Sequence, residues 1–258
     1  MPRDRDDAAT RAELQRGERF LAAYNLIEQS LRRKWGDPGG KEGFRRLVDV
    51  LSERDWTVRK FKEDLVEFGE LRNAIVHDRI SPTYLIAAPL AETVERIEQI
   101  AAAVERPPLV FPQFKRDVVC FGPEDRLESV LRAVAATGYT QFPVYDGPVY
   151  QGLLTDGGIA RWLASRVTRG TGSGGETSGL SALGETQVSE VLTREKNPDR
   201  ARFIPRSATV YEAEHVFAWS GKSDKWRVAA LLITENGVAE EKLLGIVTPS
   251  DILACTRQ

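Results

Sequence analysis

The chain has 258 residues, of which 41% are hydrophobic and 29% charged, with a formal net charge of -2. That is a globular composition with room for two ordinary domains, and it excludes a global basic field that would recruit nucleic acid. Two cysteines exclude a disulfide framework, the charged start Met1–Asp7 carries no signal-type apolar segment, and no run nears the ~20 apolar residues of a membrane span, so a soluble, cytoplasmic protein without a membrane partner is expected.

Residues 10–106 carry helical periodicity. Leu14, Phe20, Leu21, Tyr24, Ile27 and Leu31 recur at intervals of three and four, and Gly36–Gly40 ends that helix. Phe44, Leu47, Val48 and Leu51 form a second stripe. Thr57 is placed to cap a third helix carrying Val58, Phe61, Leu65, Phe68, Leu71 and Ile75. Ser81-Pro82 breaks the chain, and a fourth helix runs from about Pro89 to Glu105. Four helices with short connections predict a small all-α bundle.

Residues 107–117, opening with Pro107-Pro108-Leu109-Val110-Phe111-Pro112, read as a linker. An α/β pattern follows over 118–258. Val118–Phe121 is a predicted strand, 127–137 a helix, 141–145 and 151–155 strands, and 159–167 a helix. The Gly- and Ser-rich stretch within 169–187 reads as a loop. The pattern then repeats: strand 203–205, helix 210–218, strands 228–234 and 243–248, and a helix from Ser250. The first copy spans about 118–168 and the second about 188–256. Each is too small to bury a core alone, so the two are expected to pack together.

Two segments carry chemistry. Gly245-Ile246-Val247-Thr248-Pro249-Ser250-Asp251 is a buried strand feeding a helix, with a hydroxyl and a carboxylate at the turn. A carboxylate there can accept two ribose hydroxyls, and a hydroxyl with nearby amides can meet a phosphate. Thr248 and Asp251 equally suit the capping of the last helix. The first copy has Gly152-Leu153-Leu154-Thr155, but Gly158 stands where the second copy has its aspartate, so a weaker, altered or empty first site is expected.

With Phe142-Pro143-Val144 and Ala230-Leu231-Leu232, these runs resemble the tandem cystathionine-β-synthase-type (CBS) domain pair over roughly 109–257. The resemblance implies an adenine nucleotide (AMP, ADP or ATP) as regulatory ligand. It frames the better site with Phe203, Ile204, Val228, Ala229, Thr248 and Asp251, with Arg202 or Arg227 toward the phosphates, and implies Thr155 in the first copy.

The other segment is Leu71-Arg72-Asn73-Ala74-Ile75-Val76-His77, which holds one of only two histidines in the chain. Asn73 and His77 share a helix face one turn apart, Glu70 falls close to it, and Arg72 lies to the side. An imidazole, a guanidinium, an amide and a carboxylate suit phosphate chemistry, and the lack of a second histidine or cysteine argues against zinc. In a four-helix setting, Arg-Asn-x-x-x-His resembles the HEPN family (higher eukaryotes and prokaryotes nucleotide-binding). That resemblance implies a homodimeric, metal-independent endoribonuclease needing no cofactor for catalysis, acting on single-stranded RNA through Arg72, Asn73, His77 and Glu70. Arg32-Arg33-Lys34 and Arg45-Arg46 are then the first candidates for RNA backbone contacts, and otherwise solvated helix faces. A non-catalytic, ligand-sensing dimer that binds another macromolecule remains the alternative. His215 reads as a surface or packing residue. The expected fold class is α+β, an all-α HEPN-like bundle followed by an α/β CBS pair.

Overall fold

The computed structural model describes residues 3–36, 40–77, 88–169, 184–195, 200–223 and 227–256; at helix ends 3–10, 77, 167–169, 220–223 and 256 it describes the backbone alone. A helical unit, Met1–Pro108, precedes a mixed α/β unit, Leu109–Gln258.

In the helical unit, α1 (Arg3–Trp35) is followed by α2 (Phe44–Arg54), α3 (Trp56–Lys60), α4 (Lys62–His77) and α5 (Ala91–Glu105). The stripe on α1 is buried at Phe20, Tyr24, Ile27 and Leu31. It meets Leu47 and Leu51 of α2, Leu65, Phe68 and Ile75 of α4, and Ile97, Ile100 and Val104 of α5 in a unit where α1 packs on all three helices. Phe20 and Phe68 meet edge to face at 5.8 Å. Asp55, rather than Thr57, caps α3: its carboxylate accepts the Val58 amide at 3.0 Å, while Thr57 is buried inside the first turn. The backbone of Asp55 is extended, as a capping residue requires. The expected third helix is two helices, parted at Phe61 (φ -105°, ψ 17°). The break expected at Ser81-Pro82 lies outside the described residues.

The α/β unit begins at Leu109, so most of the expected linker belongs to it. Copy 1 comprises α7 (Leu127–Thr137), β1 (Gln141–Asp146), β2 (Val149–Thr155) and α8 (Asp156–Arg169), after a helical turn α6 (Val110–Gln113). The strand expected at Val118–Phe121 is reduced to one parallel bridge, Phe121 to Val144. β1 and β2 are antiparallel, with Phe142 opposite Leu154. Copy 2 comprises a leading turn α9 (Val188–Leu192), β3 (Ala201–Pro205), α10 (Val210–Ser223), β4 (Ala230–Thr234), β5 (Gly245–Val247) and α11 (Pro249–Thr256). β4 lies between parallel β3 and antiparallel β5. The loop expected at 169–187 falls on residues 170–183 that lie outside the described ones.

The copies exchange their leading turns. Val110 and Phe114, ahead of copy 1, are buried in the copy 2 core with Ile204, Val210, Leu231 and Val247. Val188 and Val191, ahead of copy 2, are buried in the copy 1 core with Leu127, Phe142, Leu154 and Trp162. The backbone repeats the exchange: the Val110 amide donates to Ala208 at 2.9 Å and the Val188 amide to Asp125 at 2.8 Å. Close approach requires glycine. A Cβ on Gly245 would sit 2.4 Å from the Phe114 carbonyl oxygen, and Gly152 meets Leu192 in the matching place. Neither small copy buries its strands without the other's turn, which is why the two fold as one unit. Among the described residues no helix is long and apolar enough to cross a membrane.

Candidate functional site

In each copy a threonine stands where the last strand meets a helix start, Thr155 closing β2 and Thr248 following β5, where unpaired amides collect. In copy 2 the Asp251 carboxylate reaches back to this turn. Its Oδ2 accepts the Thr248 amide at 2.8 Å and the Thr248 hydroxyl at 2.7 Å. Of a capping box, the half that runs from the third helical position is present: Asp251 accepts the Thr248 amide, while the Asp251 amide donates to the Thr248 backbone carbonyl. The other oxygen, Oδ1, accepts Arg116 at 2.8 Å. Arg116 comes from the exchanged segment, 135 residues away. Burial by itself pushes the Asp251 carboxyl up, but the bonds from Arg116 and Thr248 outweigh it and hold the pKa below the ordinary carboxylate value.

A group with a depressed folded pKa stabilises the protein fully above its unfolded pKa and loses that contribution as pH falls through the folded value. The α/β unit is therefore expected to lose thermal stability on acidification below about pH 4, near the ordinary aspartate value. The Asp251→Asn protein should show a shallower fall. Parallel melting-temperature profiles from pH 7 to 3 would remove Asp251 from this role.

Thr248 and Ile246 line a small cavity with residues of copy 1: Arg116, Asp117, Val118, Val119, Tyr139, Gln141 and Phe142. Its volume of about 30 Å³ leaves room for one water. Arg116, Asp117 and Val118 also line an open cleft of about 840 Å³ with Lys115, Lys242 and Tyr145. Burial, and to a lesser degree Cys120, pushes the Tyr145 hydroxyl up to about 12.

The other expected site residues are placed as follows. Ile204 and Val228 are buried in the copy 2 core, Ala229 is buried beside Leu153 and Leu232, and Phe203 packs edge to face on Tyr150 at 5.1 Å. Arg202 and Arg227 are exposed and line neither cavity. The residues that do face Thr248 come from copy 1, and only the Thr-x-x-Asp spacing was visible in the sequence. In copy 1, Thr155 is buried and its amide and hydroxyl donate to Glu195.

In the helical unit, α4 brings Glu70, Arg72 and Asn73 to one cavity of about 420 Å³, lined also by Tyr24, Glu28, Arg32 and Arg45. The Arg72 guanidinium lies 5.9 Å from the Tyr24 ring centre and 3.4 Å from the Asn73 carbonyl oxygen. Arg32 is held by Glu28 at 2.6 Å and by the Gly40 carbonyl at 2.8 Å, and Arg45 lies 3.8 Å from Glu70. Burial, with Glu28, raises the Tyr24 hydroxyl, and Arg72 and Arg32 oppose it. Tyr24 and Glu28 had no motif to mark them; their place comes from α1 crossing α4. The side chain of His77, the last residue of α4, lies outside the described residues. His215 stacks on Trp219 at 5.8 Å.

A paired α/β module with exchanged leading turns and a capped hydroxyl–carboxylate turn defines the class of the second unit. Residues 113–165, spanning copy 1, match the family model of the CBS domain. No curated protein matches the chain. Among solved structures, the chain is similar to the CBS domain of a CBS-domain-containing membrane protein from Sphaerobacter thermophilus, at 19% identity over 64% of this chain and 97% of that one, TM-score 0.45. It is also similar to the CBS domain pair of MJ0100 in complex with 5'-methylthioadenosine and S-adenosyl-L-methionine (14% identity, 58% and 97% covered, TM-score 0.41). A third is CBSX2 in complex with AMP (14%, 58% and 97%, 0.40).

Proposed function

We propose that Leu109–Gln258 is a CBS pair that senses an adenine nucleotide, and that the helical unit is its effector, a homodimeric, metal-independent endoribonuclease of the HEPN type. The observation that carries the sensor reading is the Asp251 carboxylate, held ionised at the Thr248 turn on the edge of a cavity between the two copies. Ionised, it accepts the 2'- and 3'-hydroxyls of a ribose, which a neutral acid does less well. The cavity of the free chain is far below the ~300 Å³ of a small-molecule site. Binding therefore requires Arg116 to leave Asp251, which joins the cavity to the open cleft and turns the guanidinium toward the nucleotide phosphate. Lys115 and Lys242 line that cleft together with Asp117, Glu240 and Glu241, so Arg116 is the cation this reading assigns to the phosphate.

The effector reading is supported by the shared cavity of Arg72, Asn73 and Glu70, with Arg32 and Arg45 beside it. On RNA, the 2'-oxygen attacks the adjacent phosphorus as its proton is taken, the bond to the 5'-oxygen breaks, and that oxygen is protonated, leaving a 2',3'-cyclic phosphate. His77 has the proton affinity for such transfers near neutral pH, Arg72 stabilises the charge on the phosphoryl oxygens, and Asn73 orients the group. Control of one unit by the other requires a nucleotide that binds the active and inactive states with different affinity.

Two assays on the full chain test the proposal. Calorimetry with AMP, ADP and ATP up to millimolar concentration is expected to give saturable heat, and none from any of the three removes the sensor. Cleavage of labelled single-stranded RNA in EDTA is expected, with a rate that changes when AMP is added. Binding of AMP without cleavage favours the non-catalytic regulator.

A further inference from the structure

Gly158 leaves copy 1 without the carboxylate of copy 2, but the place is not empty. The Glu195 carboxylate fills it from the exchanged segment. Its Oε1 accepts the Thr155 amide at 2.9 Å and the Thr155 hydroxyl at 2.7 Å. Those are the two bonds, at matching lengths, that Asp251 accepts from Thr248. A Cβ built on Gly158 would stand 2.0 Å from Oε1. The oxygen thus occupies the space that a side chain at position 158 would enter, and glycine is what admits it.

The exchange of partners runs deeper. The two leading segments correspond from Val110 with Val188 onward, which aligns Arg116 with Arg194 and Asp117 with Glu195. In copy 2 the helix supplies the carboxylate and the segment supplies the arginine, Arg116. In copy 1 the segment supplies the carboxylate and the helix supplies the arginine, Arg161, at 2.7 Å from Oε2. Arg200 adds a second cation at 3.8 Å and donates to the Thr155 hydroxyl at 3.3 Å. The consequence shows in exposure. Both carboxylates have both oxygens occupied, but Asp251 is 23% exposed and reachable from solvent, whereas Glu195 is 4% exposed. Moving Glu195 breaks its bonds from Thr155 and its ion pairs with Arg161 and Arg200, whereas moving Arg116 breaks a single pairing with Asp251.

We infer that Glu195 is a built-in occupant of the copy 1 ribose position, so that the pair takes a single nucleotide per chain, at Asp251. The inference rests on the nucleotide-sensing reading for its ligand and on the Glu195 hydrogen bonds for its geometry, and the test separates the two. Wild type, Asp251→Ala, Gly158→Asp, Glu195→Ala and the double variant Gly158→Asp/Glu195→Ala are compared by AMP calorimetry and thermal melting, as full chains. Wild type is expected to bind one AMP, Asp251→Ala none at the same concentrations, and the double variant two. In melting, Gly158→Asp should be strongly destabilised because its new side chain meets Glu195. Glu195→Ala should be destabilised because the buried Thr155 amide and hydroxyl lose their acceptor and Arg161 loses its ion pair. The double variant should be more stable than either, because the introduced aspartate restores the carboxylate. Two AMP in wild type, with one retained in Asp251→Ala, overturns the inference. A double variant no more stable than the single ones, or one that does not fold, also overturns it. If wild type binds none of AMP, ADP and ATP while the double variant is rescued in melting, the nucleotide reading fails and the placement of Glu195 stands.

Discussion

Replacing Asp251 with alanine is expected to weaken AMP binding about 100-fold. A charge-assisted hydrogen bond contributes roughly 1.5–3 kcal/mol, and a carboxylate that accepts both ribose hydroxyls forms two of them. The ligand must first displace Arg116 from Oδ1, which offsets part of that gain. A net loss of about 3 kcal/mol is about 100-fold in affinity. Thr248→Ala should cost less, about tenfold, because it removes one neutral hydroxyl and leaves the carboxylate. Arg116→Ala separates the two roles assigned to that side chain. It frees Asp251 for the ribose but removes a cation from the phosphate, so AMP should weaken more than adenosine. Calorimetry with both ligands measures the difference. An Asp251→Ala protein that melts normally and binds AMP within threefold of wild type would falsify the placement of the ribose at this turn.

The order of elements was legible where local patterning decides it. The stripes through Phe20, Ile27 and Leu31 and through Leu65, Phe68 and Ile75 are helix faces, and both became core. The Gly-h-h-Thr runs (h, hydrophobic) at Gly152 and Gly245 are strands that end at helix starts, as their spacing predicts. What local patterning cannot carry is contact between distant segments. Pro107, Pro108 and Pro112 make Leu109–Pro112 look like a linker, yet Val110 is fully buried because copy 2 needs a side chain there. Val118–Phe121 has strand composition, but only Phe121 finds a neighbouring backbone to bridge. At the site, Thr248 and Asp251 were visible as a spacing of three. Arg116 and Glu195, 135 and 40 residues from the groups they bond, were not. Val228 and Ala229, expected to frame the ligand site, are both buried, which their apolar side chains alone made legible. A gap in a motif, such as Gly158, identifies a changed site; only the fold tells what changed it.

The His77→Ala protein is expected to cleave single-stranded RNA at least 100-fold more slowly than wild type, with no restoration by added metal. General acid–base catalysis by a positioned side chain contributes roughly 10²–10⁴-fold, and histidine is the side-chain type suited to that work near neutral pH. Arg72→Ala should cost about 10²–10³-fold, the usual loss when a donor to a developing negative charge is removed. Arg72→Lys should recover little, since a point charge replaces the planar fork that lies over Tyr24 and beside Asn73. Arg45→Ala, at the exposed rim of the same cavity, should raise KM and leave kcat nearly unchanged, as expected for a phosphate contact made equally in substrate and transition state. The contrast between these variants distinguishes catalysis from a polar dimer seam. A seam would lose dimerisation with each substitution, and any cleavage would fall in proportion to the dimer that remains. A cleavage rate in freshly purified His77→Ala within threefold of wild type would assign that activity elsewhere. Arg72 and Asn73 would then be read as a binding surface, with the sensor unit controlling what the bundle holds.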